Sequence, residues 1–417
     1  MTLLERIIKQ NPWWERKNVE EIRHYRERFL LKEIWRYRDN PQIIAVLGMR
    51  RTGKTVLLFQ VIKKLLQKIS PERILYFSFD EILGKDPEII EKIIETYENE
   101  IIKRDLENVY IFFDEINHLE NWQVVLKRYY NLNRRIKFFV SGSASIYLKK
   151  TKESLAGRIY EFELKPLSFK EFLYLKRISI KNPNLQQLTI KKELNKYFLS
   201  GSLPEIINET NFSKIRSYIN SIVDKVIFYD IPKVYELGEP EVLKNIFSLI
   251  AQKPGMLLEY QSLASSLGIA YQTVSKYVGY LEKAFLIKLI YNFRGSPIAR
   301  ARKLKKAYLL TPVLALGFMD SEKEIFSQMP FLAENLVCSY LGAKWFWKKY
   351  SEIDFYHQKL PIEVKYSETK PEIKNALLAT KCLGSKKLLV ITKDFEEKTI
   401  KQGIRIEFIP LWKYLLL

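Results

Sequence analysis

Gly48-Met49-Arg50-Arg51-Thr52-Gly53-Lys54-Thr55 spells G-x-x-x-x-G-K-T in full, between an apolar run, IIAVLG, and a stretch with helical spacing that starts at Lys54. Each residue type has a task in that order. Glycines let the chain curl so that successive N–H groups and a helix N-terminus point at phosphate oxygens. The lysine reaches the β- and γ-phosphates, and the threonine hydroxyl serves Mg²⁺. Gly48 to Thr55, with Val56 behind them, are the expected nucleotide-binding residues, and ATP and Mg²⁺ the expected ligands. Such a site also needs a carboxylate for the metal and a base for the attacking water. VYIFFDE ends in Asp114 and Glu115, emerging from a run too apolar to be solvated. Asp114 is suited to hold Mg²⁺ through water and Glu115 to polarise the nucleophile. The run IKFFVSGS ends in Ser141, Gly142 and Ser143, where a hydroxyl either senses the γ-phosphate or simply terminates a strand. Arg158, in SLAGRIYEFEL, either supplies transition-state charge, in cis or to a neighbouring subunit, or is a solvated strand arginine.

These residues need a scaffold, and the pattern around them predicts one. From Gln42 short apolar runs alternate with amphipathic stretches: IIAVLG, a helix from Lys54 to Ile69, RILYFSFD, a helix near Pro87 to Lys103, VYIFFDE and IKFFVSG. That alternation predicts an α/β fold with a mostly parallel sheet. Residues 1–40 read as a helical lead-in with a helix from Val19 to Tyr37, residues 41–165 as the nucleotide-binding core and 166–239 as an all-helical lid. Residues 240–310 read as a winged helix, and 311–417 return to mixed α and β, with strands at Glu352 to His357, Pro361 to Lys365 and Lys387 to Thr392.

The composition sets wider bounds. With 417 residues, 47% of them apolar, the chain is too long for one core and too apolar to be disordered. Cys338 and Cys382 cannot build a disulfide framework, and His24, His118 and His357 are too scattered for a Cys/His zinc site. The longest apolar stretch, Tyr308 to Met319, is broken by Thr311 and Pro312 and falls far short of the roughly 20 residues of a spanning helix. Glu5 and Lys9 stand where a signal peptide would be apolar, so a soluble, cytoplasmic protein with no membrane partner is expected. A net charge of +21 attracts polyanions without choosing among nucleic acid, anionic lipid and acidic protein.

Two further patterns carry chemistry. Leu263, Leu267, Ile269, Val274, Val278 and Leu281 are spaced as two short helices around a turn at Gly268. The second, from about Tyr271 to Ala284, would present Tyr271, Gln272, Ser275 and Lys276 to base edges or phosphates. Behind it, Lys283 to Met319 holds Lys283, Lys288, Arg294, Arg300, Arg302, Lys303, Lys305 and Lys306 and no acid. That segment is either a DNA contact or a solvated basic wing, and the two helices either a DNA reader or a protein-docking module. In the last segment, Asp354 and the Glu363-x-Lys365 pair fall on two adjacent strands. With Asp354 across from Glu363, two carboxylates could hold Mg²⁺ while Lys365 orients a water; Glu334, on the preceding helix, could complete the cluster.

Together, GMRRTGKT, FFDEINHLENWQ, FFVSGSAS, SLAGRIYEFELKPLSFKEFL and SGSLPE resemble, over nearly the whole chain, a family of archaeal and bacterial AAA+ ATPases with a C-terminal nuclease-like domain. The resemblance implies Walker A and Walker B motifs, sensor 1, an arginine-finger strand and a lid, with Lys54, Thr55, Asp114, Glu115, Ser143 and Arg158 in the corresponding roles. The phosphate motif, the Asp-Glu strand and the acid-free basic segment behind the two helices together point to DNA as a partner, with a homo-oligomer or a protein partner left open. The D…E-x-K spacing resembles the PD-(D/E)XK nuclease fold. Relatives tend to carry an acid after the strand matching Lys306 to Leu310, where this chain has Thr311-Pro312. NPWW also recurs in relatives; packing of Trp13 and Trp14 against the core is the simpler expectation.

Overall fold

The computed structural model describes residues 1–16, 25–80, 85–132, 135–142, 155–235, 237–293 and 304–417. They divide into two compact units, Met1–Lys165 and Pro166–Leu417.

The first unit is built on five strands, β1 (Ile43–Leu47), β2 (Ile74–Ser78), β3 (Val109–Asp114), β4 (Ile136–Gly142) and β5 (Ile159–Glu163). They pair in the order β2-β3-β4-β1-β5, every neighbour parallel. Parallel sheets need both faces covered, which is why β1 and β3 are continuous apolar runs without alternation. Helix Lys54–Leu65 supplies one cover, burying Leu57, Leu58, Val61, Ile62 and Leu65 at helical spacing against Ile44, Val46, Phe112 and Phe139. Because β4 lies between β1 and β3, the residues that end β4 stand between the phosphate loop and the Asp-Glu pair.

β2 is an edge strand, and edge strands expose unpaired backbone. The lead-in closes it. Asn11 accepts from the Tyr76 N–H at 2.7 Å and donates to the Tyr76 carbonyl at 2.8 Å. The indoles of Trp13 and Trp14 both donate to the Ile74 carbonyl, at 3.1 and 2.9 Å, and Gln10 accepts from the Ser78 N–H at 2.7 Å. Trp13 is fully buried and packs in the core as expected. The helix expected from Val19 to Tyr37 is corrected. Residues 17–24 lie outside the described residues, Tyr25 to Arg28 are not helical, and only Leu30–Arg36 forms a helix. The extended stretch uses its backbone otherwise: the Arg28 N–H donates to Gln60 Oε1 and Gln60 Nε2 donates back to the Arg26 carbonyl.

The second unit opens with helices Phe169–Leu175, Gln187–Lys196, Phe212–Lys225 and Pro240–Gln252. Ser168 and Asn211 cap two of them by accepting from the third backbone N–H along, and Pro240 opens the last at its first position. Helices Tyr260–Leu267 and Tyr271–Lys283 follow, joined at Gly268 in left-handed conformation. Strands β6 (Met256–Leu257), β7 (Ile287–Asn292), β8 (Lys305–Leu309), β9 (Trp345–Lys348) and β10 (Glu352–Ile353) form a sheet in the order β10-β9-β7-β8-β6. β7 and β8 are antiparallel, while β9, from beyond residue 310, joins β7 in parallel. A last sheet has the order β11 (Phe355–His357), β12 (Leu360–Lys365), β13 (Lys387–Thr392), β15 (Ile404–Pro410), β14 (Glu397–Lys401). The single strand expected from Glu352 to His357 is corrected: it breaks at Asp354, β10 pairing with β9 and β11 with β12. The break frees the Asp354 carboxylate to accept the Val364 N–H at 2.8 Å.

Candidate functional site

β1 ends at Leu47, and the next six residues turn back on themselves before helix Lys54–Leu65 begins. Gly48 has φ +151°, and a Cβ there would run into the Leu164 carbonyl oxygen, so only glycine fits. Gly53, at φ 91°, starts the helix from a left-handed position, and Arg51, at φ 68°, shares that strained region. Met49 and Thr52 are buried supports, the Thr52 hydroxyl donating to the Met49 carbonyl at 2.9 Å; Arg50 is half-buried and Arg51 exposed. Lys54 is buried, its ammonium 3.3 Å from the Gly48 carbonyl, 3.4 Å from that of Met49 and 3.6 Å from Glu115 Oε1. A curled backbone, a helix N-terminus and a buried ammonium together form an anion-binding cradle.

The Asp-Glu pair meets it. Thr55 Oγ1 donates to Asp114 Oδ2 at 2.6 Å, so the two groups expected to serve Mg²⁺ are in direct contact. Asp114 is also held by the Tyr76 hydroxyl at 2.9 Å and by a short hydrogen bond from Ser141 Oγ. Burial, and then the neighbouring Glu115 charge, push the Asp114 carboxyl up, against the three hydroxyl donors that favour its charged form. Burial followed by the Asp114 charge raises the Tyr76 phenol well above its ordinary range, so it stays a donor. Glu115 sits in left-handed backbone, φ 51°, and its N–H donates to Ser141 Oγ at 3.2 Å. An oxygen-only set of this kind suits Mg²⁺, which would be held by Asp114 and Thr55 and would spread phosphate charge.

Several expected residues fall elsewhere. Ser143 lies outside the described residues; within them the hydroxyl at the end of β4 that touches both acids is Ser141. Arg158 precedes β5, beside Ile43 at the start of β1, a full five-residue strand or about 16 Å from the phosphate loop. Its guanidinium lies 5.8 Å from the Tyr130 ring centroid. Residue spacing did not flag Tyr76, which ends up beside Asp114 only because β2 pairs with β3. Nor did it flag Arg28, a buried guanidinium that donates to the Thr52 carbonyl of the loop and, at 2.9 Å, to that of Lys165.

Residues 40–173 match the family model described as an AAA domain. A second model, a domain of unknown function (DUF8612), matches residues 191–318. Two uncharacterized proteins of Methanocaldococcus jannaschii are similar to this chain. One is 29% identical over 73% of this chain and 68% of its own length, the other 28% identical over 90% and 88%. An uncharacterized protein of Haemophilus influenzae is 26% identical over 92% of this chain and 96% of its own. Among solved structures, a Walker-type ATPase of Pyrococcus abyssi aligns with 15% identity over 69% of this chain and 94% of its own, with a TM-score of 0.42. The Aeropyrum pernix Orc1 protein in complex with DNA aligns with 13% identity over 78% and 98%, with a TM-score of 0.35. Residues 40–173, which that first model matches, contain the whole phosphate cradle and both acids.

Outside the residues matched as an AAA domain, helix Tyr271–Lys283 buries Val274, Tyr277, Val278 and Leu281 and turns Tyr271, Gln272 and Lys276 outward, with Ser275 half-buried. Of the basic segment, Arg294, Arg300, Arg302 and Lys303 lie outside the described residues. Two of its lysines make contacts within the chain. Lys305 lies 3.4 Å from the Tyr260 hydroxyl and over the Tyr260 ring, and Lys306 is buried.

Lys306 is buried among acids. Its ammonium lies 2.7 Å from Glu352, 3.6 Å from Glu334 and 3.7 Å from Asp354. Glu334 rides on helix Glu322–Leu341, which Asn335 fastens to β8 by pairing with both the N–H and the carbonyl of Leu309. The Tyr308 hydroxyl donates to Glu334 Oε1 at 2.5 Å. The β11–β12 register, Phe355 opposite Ile362, carries Asp354 toward Glu363, and Glu363 pairs with Lys365 at 2.8 Å. Glu334, Asp354, Glu363 and Lys365 therefore do converge. Burial, then the Asp354 charge, push Glu334 up to about 7 and Glu363 up to about 8. Burial alone would lower Lys306, but Glu334, Asp354 and Glu352 outweigh it and hold the ammonium above its ordinary range. One observation favours a metal here, the buried Glu363 Oε2 without a hydrogen-bond partner. Against it, a resident ammonium already lies among three of the carboxylates, and among the described residues no group of three or more ligand side chains is arranged around a cation site. The residues present do not fit a divalent ion.

Proposed function

We propose that the AAA domain binds ATP with Mg²⁺ and hydrolyses it, and that turnover drives work on DNA held by the Tyr271–Lys283 helix. The carrying observation is the convergence of Lys54, Thr55, Asp114 and Glu115 on one buried cradle. Lys54 and the loop N–H groups bind the β- and γ-phosphates, and Thr55 and Asp114 hold the metal, with Ser141 and Tyr76 orienting Asp114. Glu115 accepts a proton from the water that attacks the γ-phosphorus as the bond to the ADP oxygen breaks. Arg158, remote from its own phosphates, would serve those of a neighbouring copy in a homo-oligomer. The outward Gln272 and Lys276, with Ser275 and the cations Arg300, Arg302 and Lys303, form the DNA-contact set in this reading. It takes residues 1–40 as lead-in, 41–165 as core, 166–239 as lid, 240–310 as winged helix and 311–417 as a nuclease-like domain.

A second reading is favoured by the buried Lys306: an ATP-dependent switch that binds protein partners and carries a C-terminal domain that does not cut. Steady-state hydrolysis with and without single- and double-stranded DNA, at two salt concentrations and with Lys54→Ala as blank, separates them. Stimulation that fades with salt supports DNA action. Hydrolysis indifferent to DNA supports the switch, and turnover surviving Lys54→Ala overturns both.

A further inference from the structure

We propose that Lys306 is a resident cation that closes the C-terminal carboxylate cluster to divalent metal ions, so that the cluster is neutralised from within the chain. The proposal deepens the switch reading, and its metal readout is separate from ATP turnover and DNA binding, so that either can fail alone.

Four carboxylates meet at this place, and they come from four elements: Glu334 from helix Glu322–Leu341, Glu352 from β10, Asp354 from the break after it and Glu363 from β12. Buried carboxylates on this scale persist only when paired. Three ammonium groups pair them. Lys306 touches Glu334, Glu352 and Asp354; Lys348 adds a second contact to Glu352 at 2.9 Å, and Lys365 takes Glu363. The remaining imbalance is a single negative charge. A hard divalent ion selects its sites by the count of charged oxygen ligands. Here it would have to displace, or lie against, an ammonium that β8 delivers to the middle of those ligands, 5.5 Å from the Phe346 ring centroid. Lys348 and Lys365 are partly exposed at the rim, whereas Lys306 is almost wholly enclosed. Lys306 is therefore the group whose removal should convert the cluster from a self-balanced knot into a metal site.

The test uses the full-length chain with Asp114→Asn, which silences the metal position of the AAA domain, and Mn²⁺ followed by electron paramagnetic resonance alongside thermal unfolding. The Asp114→Asn protein is expected to leave the free Mn²⁺ signal and its own Tm unmoved by Mn²⁺ or EDTA. Adding Lys306→Met should create Mn²⁺ uptake at least ~10-fold tighter, with a Tm that rises with the metal, while Lys306→Arg stays metal-blind. Mn²⁺ uptake by the Asp114→Asn protein that Glu363→Gln abolishes would overturn the proposal, as would a folded Lys306→Met protein that takes up no metal. If Lys306→Met folds only with Mn²⁺, the proposal stands. If it does not fold at all, the Asp114→Asn titration decides.

Discussion

Thr55 and Asp114, 59 positions apart, share a 2.6 Å hydrogen bond, and the same carboxylate takes the hydroxyls of Tyr76 and Ser141. Asp114 thus has its direction set by three donors, from the first turn of helix Lys54–Leu65, from β2 and from the end of β4, and a metal-serving carboxylate held in this way loses function when its orienting partners go. Ser141→Ala and Tyr76→Phe should each lower Mg²⁺-dependent hydrolysis by roughly 10–100-fold. Binding of a fluorescent ATP analogue without divalent ion should not change. Full activity in both variants would show that Thr55 alone suffices to orient Asp114.

The Glu115 carboxylate is reached by Lys54 at 3.6 Å, and its backbone N–H donates to Ser141. A group that only accepts a proton in the transition state can be replaced by an amide without loss of substrate binding. Glu115→Gln is expected to keep nucleotide affinity and lose roughly 10²–10⁴-fold in turnover, read by single-turnover phosphate release. Equal rates in the two proteins would remove Glu115 from the chemistry.

The edge of the first sheet makes a prediction about stability. Asn11 satisfies both the N–H and the carbonyl of Tyr76, and Asn11→Ala leaves two buried backbone groups without partners. The expected cost is about 1–3 kcal/mol for each group, measured as a shift of the urea midpoint at unchanged slope. Trp13→Ala, which also empties a fully buried volume, should cost about 3–5 kcal/mol. Because β2 carries Tyr76, either loss should also lower the hydrolysis rate of the protein that remains folded.

What the sequence made legible was whatever is local in the chain. The phosphate loop, the acids at the end of β3 and the parallel alternation could be read because a few adjacent residues determine them. The E-x-K pair could be read because alternate residues of a strand share a face. What escaped notice depends on strand order. Tyr76 and Ser141 reach Asp114 because β2 and β4 flank the strand that carries it, and Lys306 looked like one more cation of a basic run until β8 carried it among acids. The place of Arg158 was hidden for the same reason: only the β1–β5 register shows that it stands just before β5, at the end away from the phosphate loop. The long helix expected up to Tyr37 failed because Arg26 and Arg28 spend their backbone groups on Gln60 instead.

The acid cluster around Lys306 also predicts how the protein responds to pH. Glu334 and Glu363 are raised in the folded chain to about 7 and about 8, so the folded state holds protons that the unfolded chain has already released near the ordinary glutamate range. Where the folded state binds more protons, stability falls as pH rises, and this loss accumulates from about pH 4.5 until the folded values are passed near pH 8. The other charged groups in contact do not oppose it in that window. Glu352 is lowered and loses its contribution only in more acidic solution, while Lys306 and Lys365 are raised and lose theirs only in more alkaline solution. Asp354 and the Tyr308 phenol, the remaining polar neighbours, supply one charge that pushes both glutamates up and one hydrogen bond that holds Glu334 down. The cluster's own contribution to Tm should therefore decline from pH 5.5 to pH 8.5 by a few degrees, read as the difference between the wild type and Glu363→Gln, since Lys137, lowered by burial to about 7, acts in the opposite sense above pH 7 in both proteins. Glu363→Gln, neutral throughout, should flatten the decline and stabilise the protein most at the alkaline end. A decline of equal depth in Glu363→Gln would locate the released proton on another group.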